Sequence, residues 1–464
     1  MEKGSAVRFF EEIRDKKVII CGIGINNTPV VQQFLKAGAK VTACDRRTRE
    51  QLGETADLLE SAGATLRLGD GYLDDLDADL ILRTPGMKPY LPQFEEARAR
   101  GITVTSEMEL FFSLCPAPIY AVTGSDGKTT TTTILARLLE RAGRRVWLGG
   151  NIGRALLPFI HEVQAEDAAV VELSSFQLTG MTQSPHVAVV TNVAPNHLDW
   201  HTDMQEYIDA KRNLVAWQQS GDRSVLNADN AVTSAFDKDL SSAVSFFSRM
   251  KKPQNGAYLR EDGILCAVTN AEETPVIAAA DIRIPGVHNV ENYLAAIAAL
   301  REEVAPETIA DFAREFGGVE HRSEWVRTLN GVKWYNDSIG SSPSRTIAGL
   351  KAFDRKVILI AGGYDKHIPY DPLGEVAKDT VKAAVLLGAT AEAIETAIRA
   401  HSDLPIVRVK SMDEAVAAAR ALAQEGDIVF MSPASASFDM YKNFEERGRH
   451  FKRLVAALEE TETC

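Results

Sequence analysis

"AVTGSDGKTTTTTILARLLE", Ala121–Glu140, decides how this chain is read. It carries the Gly-Lys-Thr of a phosphate-gripping loop, but the standard P-loop has a glycine five positions before its Gly-Lys-Ser/Thr. Here that position is Val122 and the nearer glycine is Gly124, so the loop is short. Ile119–Val122 reads as a buried strand. Ile134, Leu135, Leu138 and Leu139 share one face of the helix that follows, and Gly143 is its stop. A strand turning through glycines into a helix start aims backbone N–H groups and the positive end of the helix dipole at one point. Lys128 can reach outer phosphates as a cation, and the Thr129 hydroxyl can sit on Mg²⁺. The segment predicts nucleoside triphosphate binding. Asp126 is out of place, because a carboxylate in the loop repels phosphate; the expectation is that it points away or accepts a loop N–H.

Two more strand-turn-helix openings flank this one. In "KKVIICGIGINNTPVVQQFLKAGAKVTACDRR", Lys16–Arg47, Val18–Cys21 reads as a strand, Gly22-Ile-Gly24 as a tight turn and Val30–Leu35 as a helix. Asp45 ends the next strand about twenty residues on, where a Rossmann fold places its ribose-binding acid. Asn27 stands in place of the third glycine of GxGxxG, so a dinucleotide, another nucleotide or a plain turn all remain open. In "RKVILIAGGYDKHIPYDPLGEV", Arg355–Val376, a strand at Val357–Ala361 runs into Gly362-Gly363. Short apolar runs alternating with helical stretches predict an α/β chain of mostly parallel sheets. The expected domains are 1–115, Rossmann-like; 116–318, P-loop ATPase-like; and 319–464, Rossmann-like again.

The 464 residues suit several domains, and a formal net charge of −13 argues against a general nucleic-acid or membrane binder. Cys21, Cys44, Cys115, Cys266 and Cys464 are scattered without a CxxC pair, which fits a reducing compartment. The N-terminal stretch lacks a long apolar run, and no segment approaches the roughly 20 apolar residues of a membrane helix. A cytoplasmic protein, working as a monomer, is expected.

Acids and a metal belong near a phosphate loop, at the carboxyl ends of neighbouring strands. "AAVVELSSFQL" is a buried strand ending in Glu172, a carboxylate too costly to bury without a cation or donor. "VAVVTNVAPNHLDWH" is a second strand, emptying into a loop with Asn192, His197, Asp199 and His201, which reads as metal-binding or catalytic rather than simple loop polarity. Lys211, early in the next helical segment, reads on its own as a solvated surface lysine.

Taken together, "TGSDGKTTTT", "GGNIG", "ELSSFQL", "NVAPNHLDWH", "AKRN", "GVHNVENYLAA", "EHR", "YNDSIGSSP", "AGGYDK" and "SPASASFDMYKNFEERG" resemble the Mur ligases, the ATP-dependent amino-acid ligases of peptidoglycan precursor synthesis. "ELSSFQL" and the last segment point to the D-glutamate-adding branch. The family's TGxxGK[ST] loop accounts for the short spacing. The resemblance implies that UDP-N-acetylmuramoyl-L-alanine is phosphorylated by ATP to an acyl phosphate, which D-glutamate attacks. It implies that Gly124, Ser125, Asp126, Gly127, Lys128, Thr129 and Thr130 hold the phosphates, and that Asn289, Asn292, Arg322 and Asp337 meet the rest of ATP. Thr129 and Glu172 would bind one Mg²⁺, and His197 and Lys211 a second, with Lys211 carbamylated by CO₂. Lys366, Ser437 and Phe444 would form the D-glutamate pocket, Asn151 and Ser174 would meet the muramoyl group, and Gly22, Gly24, Asp45, Arg46 and Thr84 the UDP.

Several positions depart from the pattern. Ile339 stands where a lysine is usual, Ser341 where a threonine is usual, and Asp126 where Asn is common; Arg345, a turn further on, could replace the missing cation. A sister ligase or folylpolyglutamate synthase-like enzyme is the nearest alternative. A dehydrogenase on Gly22/Gly24 would leave the phosphate loop unexplained. A catalytically silent binder would be expected to lose Lys128, Glu172, His197 or Lys211, and all four are present.

Overall fold

The computed structural model describes residues 6–24 and 26–459, so Cys464, Ile25 and the first five residues of the N-terminal stretch lie outside it. Three sheets are present. The first is five-stranded and wholly parallel, in the spatial order Thr65–Leu68, Lys40–Asp45, Lys17–Cys21, Leu80–Arg83, Thr103–Ser106. Its strand order reverses between Lys17–Cys21 and Leu80–Arg83, the place where open α/β sheets take ligands at their carboxyl ends. Both strands are almost entirely buried, as continuous apolar runs in a doubly covered parallel sheet should be.

The second sheet has nine strands, with Ile119–Thr123 between Ala168–Glu172 and Val187–Val190, all three parallel. The phosphate loop therefore leaves the middle of the sheet, between the two strands whose ends carry Glu172 and the His197 loop. Two antiparallel strands, Ile264–Thr269 and Glu272–Ala278, close its far edge. The third sheet is six-stranded, with Val357–Ala361 between Ile428–Met431 and Val381–Leu386 and one antiparallel edge strand, Glu324–Leu329.

These sheets fall into two compact units. One comprises residues up to Ala279 with Glu291–Ala310; the other comprises Ala280–Val290 with the residues from Asp311 on. Within the first unit the five- and nine-stranded sheets share one apolar core, in which Phe34 and Val30 of one belong with Leu156, Leu178 and Ala188 of the other. The helix Glu107–Leu114 joins them: its buried Glu107 accepts the N–H groups of Leu156 and Leu157 at 3.1 and 2.9 Å. Cys21, Cys44, Cys115 and Cys266 are buried free thiols. Among the described residues no helix is long and apolar enough to cross a membrane.

Candidate active site

The short loop depends on two glycines. Gly124 has φ +151, and a Cβ there would lie 1.8 Å from Thr191 Oγ1; Gly127 has φ +78, and a Cβ there would lie 2.4 Å from Asn292 Oδ1. Gly127 precedes the helix Lys128–Arg141, whose first intrahelical bond is Thr131 N–H to Gly127 O, so the N–H groups of Lys128, Thr129 and Thr130 have no intrahelical acceptor. The structure narrows the expected phosphate contacts: Ser125 N–H donates to Asn192 O at 2.9 Å and Asp126 N–H to Asn192 Oδ1 at 3.0 Å. The Ser125 hydroxyl is engaged by Ala194 and by Tyr207 Oη, each at 2.9 Å. Asp126 itself is exposed, as its charge requires. Lys128 Nζ folds over the loop, donating to the carbonyls of Gly124 and Ser125 at 3.0 Å.

Glu172 is 1% exposed at the end of its strand. One carboxylate oxygen accepts Asn151 Nδ2 at 2.7 Å, while the buried Oε2 has no hydrogen-bond partner. The Gly149–Gly153 turn is pressed against this strand end, with Asn151 N–H on Glu172 O at 2.7 Å. A buried carboxylate oxygen without a donor needs a cation, so this position fits Mg²⁺.

Lys211, which reads from sequence as a surface residue, is 1% exposed, and that reading is corrected. The helix Met204–Ala216 is N-capped by Asp203 and turns Tyr207 and Lys211, four apart, onto one buried face. Lys211 Nζ donates to Gly124 O at 2.7 Å and lies 4.7 Å from the Tyr207 ring centroid. Burial, reinforced by the Lys128 ammonium, drives the Lys211 amine well below its ordinary pKa. His197, with φ +54, is held by the Phe176 ring at 5.0 Å; burial and then Lys128 lower its pKa, leaving a neutral imidazole able to ligate a metal. Its companion His201 has a different part: it is buried, with Nε2 2.9 Å from Ser175 Oγ. Ser174 caps the short helix Ser175–Leu178 in a capping box with Gln177.

Among the described residues no three His, Cys, Asp or Glu side chains converge as a metal cluster. The donor set on offer is a threonine hydroxyl, one carboxylate, one imidazole and a lysine amine. Such a set suits ions that draw most of their oxygens from phosphate and water.

At the reversal point of the first sheet, Gly22 has φ +92 and a Cβ there would lie 2.6 Å from Thr84 Cγ2, so turn and threonine are packed together. A Cβ on Gly24 would meet nothing within 4 Å. Asn27, the departure from the glycine fingerprint, is buried and donates to Gly22 O at 2.8 Å, bracing the turn. Asp45 accepts Ile23 N–H at 2.7 Å and the Arg47 guanidinium at 2.9 Å. Burial raises the Asp45 carboxyl, but Arg47 and the backbone donors outweigh it and hold the pKa low. Arg46, expected with Asp45 at the UDP, is exposed, and it is the Arg47 guanidinium that pairs with Asp45. Two successive arginines after a strand give no sequence signal for which one turns back.

The second unit holds all but one of the remaining candidates. Asn289 is buried at the start of the helix Val287–Leu300 and donates to Pro285 O at 2.6 Å. Asn292, in the first unit, accepts Thr131 Oγ1 at 3.1 Å behind the phosphate loop. Arg322 follows the left-handed His321. Asp337 is buried, accepting Ser323 N–H at 3.0 Å and Ser432 Oγ at 2.7 Å. Lys366 is exposed and donates to Ser341 O at 3.4 Å. Ser437 is buried, and the Phe444 ring lies 6.0 Å from His321, with Phe444 O accepting Ser338 Oγ. Segments 339–345, 363–366 and 436–444 thus lie together, Tyr364 bridging to Ala436. Ile339 is half-buried and Arg345 is exposed, its charge reaching Asp337.

Burial lifts the Asp337 carboxyl to about 6, against hydrogen bonds from Ser432 and Ser323 and the charges of Arg322 and Arg345. A carboxyl raised in the folded state favours folding while protonated. That contribution is full below pH ~4 and is lost as pH rises through about 6. Asp337→Asn is therefore expected to flatten the pH dependence of stability in that window, by up to ~3 kcal/mol. Urea unfolding of both forms between pH 4 and 7 measures this; parallel curves would contradict it.

A glycine loop opening a helix, a buried acid and amine beside it, and a second glycine turn on a neighbouring sheet fit a class: enzymes that use a nucleoside triphosphate to activate a substrate. Three family models match this chain: Mur ligase MurD-like, N-terminal domain, over 16–106; Mur ligase middle domain over 122–300; and Mur ligase, glutamate ligase domain, over 321–435. The UDP-N-acetylmuramoylalanine–D-glutamate ligase of Acetivibrio thermocellus is 51% identical over 459 residues, covering 97% of this chain and 98% of its own. The same-named ligase of Ruminiclostridium cellulolyticum is 48% identical with the same coverage. The chain belongs to the Mur ligase family. In fold it is similar to the solved UDP-N-acetylmuramate-alanine ligase of Thermotoga maritima, with a TM-score of 0.56 at 17% identity over 96% of this chain and 100% of that one. A solved UDP-N-acetylmuramoyl-L-alanyl-D-glutamate–2,6-diaminopimelate ligase gives 0.57 at 18% identity over 91% and 93%.

Proposed function

We propose that this protein is the ATP-dependent ligase that joins D-glutamate to UDP-N-acetylmuramoyl-L-alanine, with ADP and phosphate as the other products. The likeness carrying this reading is the 51% identity, over nearly the whole chain, to a relative of that name. The functional division is at residues near 115 and 319: UDP end, ATP end and amino-acid end. The protein acts in the cytoplasm as a monomer.

The substrate carboxylate attacks the γ-phosphorus of ATP, the bond to the β-phosphate bridge breaks, and an acyl phosphate and ADP result. The D-glutamate amine then attacks the acyl carbon, loses a proton, and phosphate leaves with the electron pair of the C–O bond. The helix start at Lys128–Thr130 orients the phosphates, and Lys128 offsets their charge as it trades loop carbonyls for phosphate oxygens. Glu172, Thr129, His197 and a carbamylated Lys211 would hold Mg²⁺, which when bound neutralises crowded carboxylate and phosphate oxygens. A Lys211 amine that gives up its proton more readily than an ordinary lysine is suited to adding CO₂, R–NH₂ + CO₂ giving R–NH–COO⁻ and a released proton. Lys366, Ser437 and Phe444 bind D-glutamate, and Gly22, Gly24, Asp45, Arg46 and Thr84 bind UDP, with Arg47 holding Asp45 in place.

Phosphate release with ATP, Mg²⁺ and UDP-N-acetylmuramoyl-L-alanine, measured across a panel of D- and L-amino acids, tests the reading. Release that requires D-glutamate is the expected result. Release with another amino acid moves the chain to a sister activity, and none with any acceptor points to the Ile339 position and a silent binder.

A further inference from the structure

Glu206 lies in the first turn of the helix that carries Tyr207 and Lys211, yet its carboxylate serves the five-stranded sheet. It accepts the Tyr90 hydroxyl and lies 3.8 Å from Lys88 Nζ. The same carboxylate accepts Thr202 Oγ1 at 3.0 Å and sits 3.6 Å from His201 Nδ1, behind the His197 turn. Lys88 is 5.1 Å from the Trp200 ring centroid, and Trp200 Nε1 donates to Gly86 O at 3.2 Å. From below, buried Arg83 holds Met87 O at 3.1 Å and Thr179 O at 2.8 Å. The segment Thr84–Tyr90 is thus riveted to the nine-stranded sheet along its length. It begins with the threonine packed on the Gly22 turn, and it ends at Tyr90 on Glu206, in the helix that follows the His197 loop.

We infer that Glu206 and Lys88 form a positioning pair that sets the distance between the nucleotide-binding turn and the His197–Lys211 centre. This rests on the ligase reading, in which one substrate spans both places, its UDP at Gly22 and Asp45 and its carboxylate near His197. Neither residue touches the reacting atoms. The pair converts binding energy from the remote UDP into alignment of the carboxylate, so a shift between the two loops is paid in rate rather than in stability.

The test compares Glu206→Ala, Glu206→Gln and Lys88→Met with the parent enzyme. Each is measured for kcat, for KM of every substrate, and for binding of UDP alone against the whole UDP-N-acetylmuramoyl-L-alanine. Glu206→Ala is expected to lower kcat roughly tenfold or more. It should weaken the whole substrate several-fold, while UDP alone, ATP and D-glutamate are unaffected. Glu206→Gln, which keeps the acceptor for Tyr90 and Thr202, should recover part of the rate, and the double variant with Lys88→Met should fall short of additivity. Equal weakening of UDP and the whole substrate would overturn the inference, as would parental kinetics in Glu206→Ala with only a lowered melting temperature. An inactive parent enzyme would strike at the ligase reading instead, so the two failures are distinguishable.

Discussion

Lys211→Ala is expected to reduce ligation on the order of 10³-fold while ATP still binds. The amine is buried against Gly124 O and the Tyr207 ring, 1% exposed, so its removal leaves a cavity next to the phosphate loop. Burial and the Lys128 ammonium both disfavour a second cation there, so the amine gives up its proton more readily than an ordinary lysine. An uncharged lysine contributes little to a site crowded with phosphate and carboxylate; a carbamate on it would contribute an anionic oxygen for Mg²⁺. Two consequences separate that role from simple packing. Formate or acetate should restore part of the activity of Lys211→Ala by entering the space the side chain left. The parent enzyme should lose activity in CO₂-depleted buffer and regain it on adding bicarbonate. An inactive variant without rescue, together with a CO₂-independent parent, would leave the carbamate unsupported, and a fully active variant would exclude it.

Gly124→Ala should have a comparable effect on ATP use, for a different reason. The added methyl would stand 1.8 Å from Thr191 Oγ1 and 3.2 Å from Asn192 N, at a φ of +151 that side chains rarely adopt. Thr191 cannot simply give way, since its hydroxyl is tied to Thr123 O at 3.2 Å and to Asp126 O at 2.5 Å. The strain falls on the loop that also anchors Lys211 through Gly124 O. A loss of about 1–3 kcal/mol in stability is expected, with a fall in kcat/KM for ATP on the order of 10²-fold. Binding of UDP, on the other sheet, should be unchanged. Fluorescent-nucleotide titration, UDP calorimetry and thermal unfolding read the three quantities. Normal ATP use in this variant would show that the loop is not the nucleotide site.

The local parts of this enzyme were legible because their signals are local. Buried parallel strands announce themselves as apolar runs, as at Val18–Cys21 and Val357–Ala361, and both stand as strands. The loop-to-helix step at Gly127–Lys128 follows from the left-handed conformation only glycine takes easily, and the family motifs fixed the chemistry by their order along the chain. What could not be read is where side chains end up when distant segments meet. Lys211 lies in a helix whose pattern allows exposure; it is buried because that helix packs its Tyr207 face against the phosphate loop. Asn192 takes two loop N–H groups, and Arg47 rather than Arg46 returns to Asp45; both choices belong to tertiary geometry.

By itself, then, the order of residues determined three α/β sheets and the glycine loop opening a helix, and it made Lys128, Glu172 and His197 candidates, with Lys211 joining them through the family resemblance. Backbone propensity and hydrophobic period act over a few residues, and that is the range of a strand, a turn or a helix face. Only the tertiary structure decided that the first two sheets share a core, that Glu172 keeps one oxygen without a donor, and that Glu206 reaches Lys88 across the sheets. Those facts depend on burial and on pairing between segments more than a hundred residues apart, which no local pattern encodes.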